Sequence, residues 1–95
     1  MRIIDSHTHL MQEGFQYLAG MPVDEFLDLL GEADIETAVI FTLTGLIRDF
    51  QAHNDELAEV VAAHPGRLVG LGSVNPWYGE EAVREVRRCF TELGF

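Results

Sequence analysis

Apolar and polar positions along this chain switch repeatedly between a period of two and a period near 3.6. Ile3 and Ile4 lead into Asp5, Ser6, His7, Thr8, His9 and Leu10, which predicts a short strand near the start of the chain. Residues i, i+2 and i+4 of a strand share a face, so Asp5, His7 and His9 are expected on one side and Ile4, Ser6 and Thr8 on the other. A connection from Met11 to Gly20 follows, with Phe15, Tyr17 and Leu18 set among polar residues and glycines. Loops of this length in compact α/β domains are usually functional or partly ordered, and the aromatics are read as pinning this one down. Pro22 then opens a helix, where its missing N–H costs nothing. Val23, Phe26, Leu27 and Leu30 make its apolar stripe, Gly31 weakens its interior, and Ala33-Asp34 ends it in a left-handed cap. Thr37 to Leu43 is β-branched and apolar on both faces, as a strand inside a parallel sheet should be.

Thr44 to His53 is expected to be a loop carrying Arg48, Asp49 and Phe50. Asn54 reads as the N-cap of the next helix, with Asp55 and Glu56 in the first turn. Leu57, Val60, Val61 and His64 form its buried stripe, and His64-Pro65-Gly66 stops it. A third strand is predicted from Leu68 to Val74, with Gly70 and Gly72 permitting close approach. Asn75 to Gly79 turns the chain, and Glu80 and Glu81 begin a third helix whose inner side is expected to be Ala82, Val83, Val86, Phe90 and Leu93, with Gly94 as its cap. The order is β-α-β-α-β-α with connections too long for hairpins, so parallel strands with right-handed crossovers follow. Helices on one face of three strands would leave the other face bare. Since the strands are apolar on both faces, the sheet is expected to continue through further strands or by pairing with another chain. The open edge of the third strand favours self-association.

Composition narrows the partners. The chain has 95 residues, 47% of them hydrophobic, enough for one small domain over residues 1–95. Its formal charge is −10 and all six basic residues are arginine, which argues against a nucleic-acid or anionic-membrane partner. Cys89 is the only cysteine, so an intrachain disulfide and a cysteine-based zinc motif are excluded. No stretch reads as a secretory signal or reaches transmembrane length, and a soluble cytoplasmic protein is the default expectation.

Chemistry concentrates in the first strand. Two imidazoles two residues apart at a strand's end can reach one cation, and histidine is the commonest metal ligand. A bare His-x-His is more often a solvated loop, but the apolar lead-in and Asp5 shift the balance toward ligation by His7 and His9. Asp5 suits a supporting role, accepting a ring N–H and fixing the tautomer. Arg48 could clamp a substrate carboxylate, against the plainer expectation of pairing with Asp49 or Glu56. Trp77 could face a substrate mouth, although such residues more often pack a loop. His53 reads as a loop residue beside the cap, His64 as helix-terminal, and Cys89 as a small buried apolar residue. No residue stands out as a general acid or base.

Ile4-Asp5-Ser6-His7-Thr8-His9-Leu10 resembles the first-strand signature of the amidohydrolase superfamily of metal-dependent (β/α)₈-barrel enzymes. Glu32 to Ile40 is similar to the helix-to-second-strand junction of its amidohydrolase-2 group, His64 to Pro76 to that group's third strand, and Glu92 to Phe95 to the end of its third helix. The resemblance spans essentially the whole chain and implies the first three βα units of a TIM-like barrel, incomplete here. TatD-type nucleases and the polymerase-and-histidinol-phosphatase group also open with a histidine pair. The resemblance implies that His7 and His9 hold a catalytic divalent metal, zinc above others, for hydrolysis or nonoxidative decarboxylation of a small molecule. It further implies later histidines and an eighth-strand aspartate that this chain lacks, so the chain by itself is expected to be inactive. The competing readings are a TatD-like or other metal-dependent barrel hydrolase and a noncatalytic truncated fragment acting as an associating structural module.

Overall fold

The computed structural model describes residues 1–95. Three strands, β1 (Ile4–His9), β2 (Thr37–Phe41) and β3 (Leu68–Gly70), form one parallel sheet in the order β1-β2-β3. Helix α1 (Val23–Glu32) links β1 to β2, and a short α2 (Thr44–Ile47) and a long α3 (Phe50–Ala63) link β2 to β3. One turn of 3₁₀ helix (Pro76–Tyr78) precedes α4 (Glu80–Thr91). No helix is long and apolar enough to cross a membrane.

The middle strand anchors the core. Ala38 and Ile40 on β2 are fully buried, and Leu10, Phe26, Leu30, Leu57 and Leu68 pack around them. Burying one such aliphatic side chain contributes roughly 1.5–3 kcal/mol. Ala38 pairs with Leu68 and Ile40 with Gly70, so these positions share the helix-covered face. On the opposite face Val69 pairs with Val39 and is 46% exposed, and Ile4 and Leu71 are similarly open. The bare second face expected from the sequence is therefore present.

Four local expectations change. In β1 the register runs Ile4–Thr37, Asp5–Ala38, then Thr8–Ile40 and His9–Phe41, so β1 takes three steps where β2 takes two. This bulge breaks the alternation. Asp5 keeps the helix-side phase of Ala38, whereas His9 joins Phe41 on the open face, and the shared face predicted for Asp5, His7 and His9 is lost. Second, α3 begins at Phe50 rather than Asn54: Asp49, in the left-handed region, accepts the Ala52 N–H at 3.4 Å. Asn54 sits inside the helix, fully buried. Third, β3 stops at Gly70: the Leu71 N–H still donates to the Ile40 carbonyl at 3.0 Å, but from Ser73 onward the backbone is bonded by the Asn54 side chain instead of a strand.

Fourth, α4 presents Ala82, Glu85 and Cys89 to the core, while Val83, Val86 and Phe90 are exposed, Phe90 at 70%. The reason is close approach. A Cβ on Gly72 would lie 2.6 Å from the Cys89 sulfur, and one on Gly70 would lie 2.5 Å from the Phe95 ring. Against Gly72 the small Cys89 fits, and it sets which side of α4 faces the sheet. The left-handed Asp34 cap forms as expected, at φ 56°.

Candidate metal centre

His7 and His9 lie at the C-terminal end of β1, the end at which barrel enzymes build their sites. Their ring centroids are 5.3 Å apart and nearly perpendicular. Phe41 of the neighbouring strand completes the cluster, 4.9 Å from the His7 ring and 4.3 Å from the His9 ring, edge-on to both. The bulge brings the two imidazoles to this face, and Phe41 buttresses them there.

His9 Nδ1 lies 3.2 Å from the Phe41 carbonyl oxygen. A carbonyl can only accept, so Nδ1 carries the proton and Nε2 keeps its lone pair outward. That is the state a metal ligand needs, and fixing it is the role expected of Asp5. Asp5 does something else: its Oδ1 accepts the His7 backbone N–H at 3.0 Å, a local bond that props the bulge. No third His, Cys, Asp or Glu joins the pair into a ligand cluster. Catalytic zinc sites generally use three protein ligands and a water, so these residues fit a metal as part of its coordination shell.

The other predicted residues fall elsewhere. Arg48 is exposed and lines an open cleft of about 660 Å³ with Phe15, Ile47 and His53. Its expected acidic partners are otherwise engaged, Asp49 as the α3 cap and Glu56 with Gln12 at 2.8 Å and His53 at 4.0 Å. Trp77 is 95% exposed and packs no loop; it stands outside the His7–His9–Phe41 cluster.

A second polar cluster, on the helix-covered side, was not anticipated. Glu85, 1% exposed, takes a bidentate pair from Arg88 at 2.8 Å on each oxygen and a further bond from the Asn54 amide at 2.9 Å. Arg88 also pairs with Asp55 at 2.6 Å. The Arg88 guanidinium holds the Glu85 carboxyl below the usual carboxylate range, overcoming the opposing effect of burial. Burial, then the Glu85 charge, pushes the Cys89 thiol up to about 11, so it stays protonated and unreactive. The available signal was phase: Glu85 is three residues from Ala82 and four from Cys89, a charge inside the buried stripe.

Comparisons with known proteins agree with this architecture. A 2-amino-3-carboxymuconate-6-semialdehyde decarboxylase from Dictyostelium discoideum is 46% identical over 41 residues, 43% of this chain and 11% of that protein. A Staphylococcus aureus protein taken to be an amidohydrolase superposes over 100% of this chain with a TM-score of 0.81 and 26% identity, this chain spanning 35% of its length. A dihydroxybenzoic acid decarboxylase from Polaromonas sp. JS666, solved with bound manganese and the inhibitor 2-nitroresorcinol, superposes with a TM-score of 0.77 and 27% identity; this chain covers 37% of it. The sheet and helices are thus the first three βα units of a (β/α)₈ barrel. The model of the amidohydrolase family Amidohydro_2 matches residues 4–95, and the chain belongs to that family.

Proposed function

We propose that this chain carries the first-strand portion of a divalent-metal centre in a decarboxylase of small unsaturated or aromatic carboxylic acids. The observation that carries the reading is the paired imidazoles on the open face, with His9 held as the Nδ1–H tautomer by Phe41. His7 and His9 would hold the cation; its remaining ligands lie outside these 95 residues. A divalent cation held by His7 and His9 would supply Lewis-acid polarisation of substrate oxygens. Imidazole ligands suit zinc, and manganese in the Polaromonas enzyme makes it the second ion to test.

Arg48 is the group in this chain suited to bind a substrate carboxylate, since its guanidinium is free to make a bidentate contact in the cleft. Decarboxylation is preferred over hydrolysis because both the Dictyostelium and the Polaromonas relatives are decarboxylases. The single buried, protonated cysteine accords with a cytoplasmic setting.

The test has two readouts. Equilibrium dialysis of the chain against Zn²⁺ and Mn²⁺ should show binding that His7→Ala and His9→Ala each weaken at least tenfold. Carbon dioxide release from dihydroxybenzoates and from carboxymuconate semialdehydes should then be followed in a polypeptide carrying all eight βα units with this chain as the first three. Metal binding indifferent to both substitutions would remove the assignment. Retained metal binding with hydrolysis instead of decarboxylation would correct the reaction alone.

A further inference from the structure

We propose that Ser73, gripped by Asn54, is a positioning residue for His9, acting through the end of β2. This deepens the metal-centre reading and rests on it for its functional meaning. The Asn54 side chain treats Ser73 as a strand would: its Oδ1 accepts the Ser73 N–H and its Nδ2 donates to the Ser73 carbonyl, each at 2.9 Å. The same Nδ2 donates to Glu85 at 2.9 Å, which fixes the amide's orientation. Ser73 Oγ then donates to the Thr42 carbonyl at 2.9 Å. Asn54, Ser73, Thr42 and Glu85 are all buried, so none of these bonds competes with water.

Successive carbonyls of an extended strand point to opposite edges. At the end of β2 the Thr42 carbonyl turns toward Ser73, and the preceding carbonyl, that of Phe41, turns toward β1 and receives His9 Nδ1 at 3.2 Å. Only the two backbone dihedrals of Thr42 separate these peptide planes. The backbone ladder from β3 reaches Ile40 through the Leu71 N–H at 3.0 Å and goes no further along β2. Past that point the Ser73 hydroxyl tethers the strand, so it sets the direction of the carbonyl that sets the His9 tautomer. A purely structural clamp between α3, α4 and the sheet would not need to end there.

The experiment is nitrogen-15 NMR of the imidazoles in the metal-free chain, at a pH where both are neutral. His7, whose ring contacts are aromatic, serves as the internal control. In the unaltered chain His9 should be predominantly Nδ1–H. Ser73→Ala should raise its Nε2–H form severalfold and leave His7 unchanged, and Ser73→Thr, which keeps the hydroxyl, should restore the original spectrum. If Ser73→Ala does not fold, Ser73→Cys, with its weaker donor, reads the same shift. A His9 tautomer indifferent to the loss of the hydroxyl, whatever happens to the melting temperature, overturns the proposal. Because no metal is present, that failure is separate from failure of the metal titration, which would remove the metal centre and leave the coupling intact.

Discussion

On the helix-covered side of the sheet, Glu85 uses both oxygens on Arg88 and one of them again on Asn54, and no buried polar side-chain atom lacks a partner. On the open side, the His7 ring stands roughly perpendicular to the His9 and Phe41 rings, and His9 uses one nitrogen and keeps the other. Both regions place polar groups against apolar strands, yet the first is closed and the second retains unspent bonding capacity. Buried groups whose valences are filled by the protein hold elements together. Groups with a lone pair left over, fixed in direction by a neighbour, are the ones available to a ligand. The buried Glu85 cluster is thus a structural clamp, whereas the histidine pair keeps a bonding position open.

This contrast can be tested by removing one side at a time. The largest effect is expected from Glu85→Ala, which leaves the Arg88 charge and the Asn54 amide without their partner. Truncating one member of such a pair costs about 3–5 kcal/mol, read as a lowered urea midpoint. Next, Ile40→Ala in the packed layer should cost about 2–5 kcal/mol. The matched change Val69→Ala on the open face, where the side chain is 46% exposed, should cost less than about 1 kcal/mol. Equal costs at the two positions would mean that the open face is covered in solution.

Acid gives a smaller effect with a defined sign. The Glu85 pKa is lower in the folded chain than in the unfolded one, so the unfolded state binds the extra proton. Its stabilisation is complete above the unfolded carboxylate value, about 4.3, and is lost as pH falls through the lower folded value. Glu85→Gln should flatten stability against pH in that window; an unchanged curve would place the acid sensitivity in other carboxylates. The smallest stability effect is expected for His7→Ala, within about 0.5 kcal/mol by thermal melting, because the residue is exposed. A loss of several kcal/mol there would make the pair part of the core.

Much of the chain was legible from pattern because periodicity reports burial directly. Val23, Phe26, Leu27 and Leu30 marked α1, and the apolar run from Thr37 to Leu43 marked the central strand, which ends two residues earlier, at Phe41. The reading slipped where one residue type serves two purposes. Asn54 is a good helix cap in isolation, but its amide instead satisfies Ser73 and Glu85, partners 19 and 31 residues away. Val83, Val86 and Phe90 looked like an inner stripe because they are apolar. The contact surface is set by Gly72, against which the side of α4 that carries Cys89 packs too closely for any Cβ.

The sequence by itself determined the order of strands and helices, the parallel sheet with one uncovered face, and the histidine pair at the end of its first strand. Local sterics and the spacing of apolar residues suffice for these. Tertiary structure decided which nitrogen of His9 is free, that Asp5 supports the bulge rather than a ring, and that Glu85 can be a buried charge. Each depends on a hydrogen-bond partner. Where that partner is a single carbonyl or side chain distant in sequence, as for His9 and Glu85, no local pattern of residue types encodes it. Where it is close by, as for Asp5, the choice follows from a strand register set by the neighbouring strand.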